Sequence, residues 1–359
     1  MNQSFPRTLH DVTGELKSVP YKRIATEEAF CPSEMLDIYR KILASGTLHD
    51  PGFREMFSFY LNSDSLRAQQ IRDYLVDLGQ MRLAHMDERG IDMQVIALTS
   101  PGVQVMEDAE AVSFAAFAND VLADACRRHS SRFAGLAAVA PQVPGEAAKE
   151  LERSVRTLGL KGAVIHSHTF GEYMDDQKFW PIFEAAEALD TPIYLHPQVP
   201  PPAMVGPFLE SGLDGAIFGF GVETGLHLMR IIVSGAFDRF PNLKFVVGHL
   251  GEALPFWMYR LDYMHRACVV SRRYRTMQPI QGMISDYLRR NVYVTTSGFA
   301  WEPAIKFCQE VLGVDRVLYA MDYPYQHDVA EVIATDNLSL SDEVKAMLFQ
   351  VNAERVFKL

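Results

Sequence analysis

The sequence is poor in cysteine, short of positive charge and without long apolar runs. Its four cysteines, Cys31, Cys126, Cys268 and Cys308, lie far apart and form no CxxC pair. That argues against a thiolate zinc site and a dithiol redox centre, and it suits a reducing compartment such as the cytoplasm. Asp and Glu number 45 against 34 Lys and Arg, a net charge of −11. A nucleic-acid binder needs a basic face, so that class is set aside. A small anionic substrate is not, because a local pair of arginines outweighs the global field at short range. No apolar stretch is long enough to span a membrane, and the N-terminus carries no run of signal-peptide type. There is no internal repeat and no low-complexity segment.

What is present is a chain of 359 residues, 48% hydrophobic and 22% charged, with ample material for a core. Short β-prone apolar runs occur at 23–26, 93–98, 133–140, 162–165, 192–195, 243–247, 292–294 and from 317. Helical patterns separate them at 68–89, 108–129, 144–158, 176–189, from 222 and at 252–289. Eight strands alternating with helices predict an α/β fold closed into a (β/α)8 TIM barrel, one domain over residues 22–359. Residues 1–21 read as a polar arm suited to packing on a neighbouring subunit. A polar and aromatic insertion after the first strand, residues 31–80, reads as a helical lid holding Tyr60 and Arg67. A Pro- and Gly-rich loop at 198–221 carries Phe218 and Phe220.

In a parallel barrel the C-terminal strand ends carry the chemistry. Four of these runs end in a metal-ligating side chain: Glu27, His196, His249 and Asp322. Each has an ordinary alternative: a surface acid, a hydrogen-bonded core histidine, a turn residue and a helix cap. Their shared position in four separate βα units is what points to one divalent ion. His166 and His168 close the fourth run and are further candidates, and His327 lies near the rim. His85, His129, His227 and His265 read as structural, and His10 and His49 as surface residues. No lysine ends the fourth run, since Lys161 is at its start, so no bridging carbamate is available and one ion is expected. Carboxylate-rich ligation with one or two imidazoles leans to Mn²⁺, then Zn²⁺.

Four stretches carry a resemblance. They are Arg23-Ile24-Ala25-Thr26-Glu27-Glu28-Ala29-Phe30, the segment 212–225 from Gly212 to Gly225, Trp301-Glu302-Pro303-Ala304-Ile305-Lys306-Phe307-Cys308, and Tyr319-Ala320-Met321-Asp322-Tyr323-Pro324-Tyr325. Together they resemble the amidohydrolase superfamily, in its branch of non-hydrolytic aromatic-acid decarboxylases. The resemblance implies Glu27, His196 and Asp322 as metal ligands with His249 beside them. It implies Arg67 and Arg260 as contacts for the substrate carboxylate, and Tyr60, Phe218 and Tyr325 as pocket lining. Ala29 stands where many members place a histidine, so one ligand position passes to water or substrate. The implied reaction is loss of CO2 from an ortho-hydroxybenzoate. Asp322 would give the proton, with His249 as a relay oriented by Glu252. The implied partner is a small aromatic carboxylate, with no nucleic acid and no membrane, in a homodimer or homotetramer. Two other readings stay open on the residues alone: hydrolysis, for example of a lactone, by the same ion with Asp322 as base, and a non-catalytic metal scaffold.

Overall fold

The computed structural model describes residues 14–46 and 48–359. Nine parallel strand segments occur among them: β1 Ile24–Phe30, β2 Met93–Leu98, β3 Phe133–Gly135, β4 Ala137–Ala138, β5 Ala163–His166, β6 Pro192–His196, β7 Lys244–Val247, β8 Val292–Thr295 and β9 Val317–Leu318. They pair in order as two ribbons, β1–β3 and β4–β9. Backbone bonds join the ribbons at both edges. Leu136 N–H donates to Ile96 at 2.8 Å, and Thr26 N–H to Tyr319 at 3.1 Å. The third predicted run is thus split where the chain changes partner at Leu136, and β3 and β4 share one strand position.

Strand alternation sorts the side chains. Val95, Val164, Tyr194, Val246, Tyr293 and Leu318 form one inner cluster, closed from below by Ala353, Val356 and Phe357 of the C-terminal helix Asn352–Phe357. Ile96, Ile165, Leu195, Val247 and Val294 belong to the larger cluster that receives the outer helices. Two residues beyond the inner layer, the same parity delivers His166, His196 and Thr295 to the strand ends. His166 and His196 are direct register partners. In β1 the register shifts between Ala25 and Glu28, so two consecutive glutamates are both buried within the strand, which runs on past the expected end at Glu27 to Phe30.

Three helical readings need correction. The stretch 68–89 is two helices, Leu66–Val76 and Gln80–Glu88. Asp77 Oδ1 accepts the N–H groups of Gly79 at 3.1 Å and Arg82 at 2.8 Å, which stops one helix and starts the next. The stretch 252–289 is Leu254–Ser271 and Ile284–Asn291. The first ends at Arg272 in a left-handed conformation, and Pro279 and Gly282 follow. The loop 198–221 contains the helix Pro202–Leu209, started by a proline whose missing N–H costs nothing there.

The insertion 31–80 folds as helices Ser33–Ser45, Pro51–Asn62 and Leu66–Val76. Tyr39, Phe53 and Phe57 hold it together with ring centroids 4.7–5.4 Å apart. Of the N-terminal arm, residues 1–13 with His10 lie outside the described residues. The remainder packs on this chain: Tyr21 stacks on Phe349 at 5.1 Å. No helix among the described residues is long and apolar enough to cross a membrane.

Candidate metal and catalytic site

Glu27 leaves β1 into the barrel mouth with 5% of its surface exposed. Its Oε2 accepts hydrogen bonds from Tyr194 Oη and, at 2.7 Å, from Thr295 Oγ1. Its Oε1 is buried with no hydrogen-bond partner among the described residues. That atom lies 3.7 Å from His196 Nε2 and 3.7 Å from His249 Nε2. His196 Nδ1 is 2.8 Å from the Pro197 carbonyl, which can only accept. Nδ1 therefore carries the proton, and the Nε2 lone pair faces Glu27.

Asp322 completes the group. One atom each from Glu27, His196 and Asp322 lies within 4.8 Å of the others. An unpaired buried carboxylate oxygen, a free imidazole lone pair and a second carboxylate are the donor set a divalent cation takes. The residues present fit such an ion. Burial drives the Asp322 carboxyl well above the usual range, and the nearby Glu27 charge adds to this while His249 opposes it. Asp322 has φ 74°, and the N–H groups on either side of it, from Met321 and Tyr323, both donate to Glu28 at 3.0 Å. Glu28 is thus the residue that fixes the Asp322 loop. Sequence reasoning passed it over, although a second glutamate in an apolar run was the signal.

His249 is aimed by an unusual backbone. His249, Leu250, Gly251, Glu252 and Ala253 have φ between 52° and 79°, a left-handed turn that costs on the order of 1 kcal/mol at each non-glycine residue. It brings Glu252 Oε1 to 2.8 Å from His249 Nδ1. Burial would lower the His249 pKa, but the carboxylates of Glu252, Glu27 and Asp322 outweigh it and raise it to about 10.

The other predicted residues divide. Phe218, His249 and Glu252 line a cavity of about 590 Å³ together with Phe220, Trp257 and Phe299. Tyr325 donates to or accepts from Thr99 Oγ1 at 2.6 Å and meets Tyr60 edge-on at 5.7 Å. Arg67 Nη2 donates to the Tyr325 carbonyl at 2.9 Å. Arg67 and Tyr325 line a second cavity of about 590 Å³, with Tyr74, Arg89 and Glu331. Arg260 is exposed on Leu254–Ser271, forms no ion pair among the described residues and lines neither cavity.

The histidines also divide. His168 is satisfied by Val199 O at 3.1 Å and Gly171 N at 3.1 Å. His227 is satisfied by Ser167 Oγ at 3.0 Å and Met174 N at 2.9 Å. His327 stacks on His85 at 5.9 Å. His166 packs its ring against His196 at 5.2 Å, and both its ring nitrogens lack partners among the described residues. Gln104, another residue missed in the sequence, braces the 166–169 backbone: its Oε1 accepts His166 N at 2.6 Å and its Nε2 donates to His168 O at 3.0 Å.

A parallel α/β ring with a two-carboxylate, one-imidazole cluster at its strand ends defines a metal-dependent barrel enzyme. The amidohydrolase family model matches residues 67–359, and the chain belongs to that family. Among curated relatives, a γ-resorcylate decarboxylase of Polaromonas is 36% identical over 299 residues, covering 81% of this chain and 90% of that one. Two solved structures are more alike. One is the 5-carboxyvanillate decarboxylase of Novosphingobium aromaticivorans complexed with manganese and 4-hydroxy-3-methoxy-5-nitrobenzoic acid. It superimposes with a TM-score of 0.93 at 54% identity, covering 95% of this chain and 97% of that one. The 5-carboxyvanillate decarboxylase of Sphingomonas paucimobilis has a TM-score of 0.89 at 38% identity, covering 94% and 99%.

Proposed function

We propose that this protein is a manganese-dependent carboxy-lyase that converts 5-carboxyvanillate to vanillate and CO2 in the breakdown of lignin-derived aromatics. The observation that carries the proposal is the unpaired Glu27 Oε1, facing His196 and His249 beside Asp322 in a chain whose relatives are named decarboxylases. Glu27, His196 and Asp322 would hold the ion, with Mn²⁺ first and Zn²⁺ second. The ion would supply a positive centre that orients and stabilises the phenolate and neighbouring carboxylate of an ortho-hydroxybenzoate.

The chain's own groups handle the proton. Loss of CO2 from an aromatic ring is difficult because it leaves a carbanion. Protonating the ring carbon first avoids this: the C–H bond forms, aromaticity is interrupted, and the C–C bond to the carboxylate then breaks with its electron pair returning to the ring. Asp322 is the donor, since it stands in the Glu27, His196 and Asp322 group at the barrel mouth, against the site where the ion and the substrate carboxylate would meet. His249, held by Glu252 at 2.8 Å, is the group placed to resupply it. Tyr60, Tyr325, Phe218 and Phe220 would give the ring an aromatic enclosure, and Arg67 and Arg260 would serve the carboxylate remote from the ion. Because Arg260 is exposed on its own chain, a homodimer or homotetramer is the assembly in which it would act.

The test is a screen of hydroxybenzoates for CO2 release by the manganese-loaded protein, with metal analysis on the same sample. In D2O one deuterium should appear on the ring carbon that lost CO2. Metal-replete protein that releases no CO2 from any ortho-hydroxybenzoate but hydrolyses a lactone would overturn the proposal.

A further inference from the structure

Glu27 is pinned from three sides by residues outside the ligand set. Tyr194 stands in the inner layer of β6, two residues before His196, and its hydroxyl reaches up to donate to Glu27 Oε2. Thr295, at the end of β8, donates to the same oxygen at 2.7 Å. The two hydroxyls are themselves 3.3 Å apart. Gly248 packs against the same carboxylate: a Cβ there would fall 2.7 Å from Oε1 and 2.8 Å from Oε2, so a larger residue would push the carboxylate from this position. The result is an asymmetric group, with Oε2 holding two donors and Oε1 holding none.

We infer that Tyr194 and Thr295 are positioning residues that present Glu27 to the divalent ion through Oε1 alone. A carboxylate free to rotate can chelate with both oxygens. One whose Oε2 lone pairs are engaged by two O–H donors offers a single oxygen. Restricting Glu27 to one coordination position keeps others open for a substrate that itself chelates. A tyrosine suits the task because its ring fills the barrel interior while its hydroxyl must find a partner. This inference rests on the metal reading above.

The test is Mn²⁺ affinity of the full-length protein, stripped with chelator and titrated by equilibrium dialysis with metal analysis. Tyr194→Phe keeps the ring and removes the donor, and should raise the Mn²⁺ Kd by about 10–100-fold. Thr295→Val should raise it in the same sense, and Thr295→Ser should restore it. The thermal midpoint of the stripped protein separates positioning from packing. A variant that loses midpoint while its Kd stays within about twofold of wild type counts against the inference. Should Tyr194→Phe not fold, the Thr295→Val and Thr295→Ser pair carries the test. Wild-type protein binding manganese tightly, with the Phe and Val variants unchanged, would overturn the inference alone. Wild-type protein that binds no manganese would overturn the metal reading and this inference with it.

Discussion

Replacing Asp322 by Asn separates proton donation from metal binding. The change is nearly isosteric, and the position favours it. Asp322 has φ 74°, a conformation that Asn tolerates better than most residues. The flanking Met321 and Tyr323 N–H groups stay bound to Glu28, so the loop should keep its shape. The substitution also removes a buried carboxylate that lies beside Glu27, and the metal-free variant should be at least as stable as wild type. Chemistry should fall by at least ~10²-fold, about 2.7 kcal/mol, the range for losing a positioned acid. Single-turnover decarboxylation at full manganese occupancy is the measurement, because steady-state rates would mix this loss with weaker metal binding. Near wild-type turnover by the fully loaded Asn variant would refute the assignment and leave His249 as the donor.

Three other outcomes are expected. His196→Ala should abolish stoichiometric manganese, which wild type should hold at about one ion per chain by elemental analysis, and two ions per chain would exclude the mononuclear site. Arg67→Met should weaken a dicarboxylated ligand by about 2–5 kcal/mol if the pair is desolvated, and a monocarboxylated one much less, by calorimetry; equal losses would leave Arg67 only its tether to the Tyr325 carbonyl. Glu223 is raised by burial to about 8, so between its unfolded value near ~4.3 and that pH the folded state keeps a proton the unfolded chain has released. Its contribution is full at low pH and is lost as pH rises through this window, roughly 1.4 kcal/mol per unit. Urea unfolding from pH 5 to 8 should show a flatter decline in Glu223→Gln, and an unchanged slope would sink the assignment.

The strand positions were legible because short apolar runs of three to eight residues ending in polar groups leave little choice of element. The errors fall where a local hydrogen bond outranks periodicity. Asp77 capping Gly79 and Arg82 divides a stretch whose pattern runs on without a break. Proline counted as a loop signal at 198–221, yet Pro202 opens a helix there. The split at Leu136 has no side-chain signature: its N–H turns to Ile96 while that of Ala137 turns to Gly162.

The gathering of Glu27, His196 and Asp322 was legible in part for a related reason. Residues two beyond the inner layer share its parity, so Tyr194 leads to His196 as Val164 leads to His166. Parity cannot say which inward nitrogen is free. His196 has its tautomer set by the Pro197 carbonyl, while His166, on the same layer and in register with it, has neither nitrogen engaged. The difference lies in the backbone after each strand, where Ser167 takes φ 43° and Gln104 seizes the His166 peptide. Arg260 entered through the resemblance alone. The five residues 249–253 wind left-handed immediately before its helix begins. Along that helix Trp257 lines the cavity and Arg260 faces solvent. The strained turn that aims His249 inward thus leads directly into a helix that carries Arg260 on its exposed face, and no spacing in the sequence announces that turn.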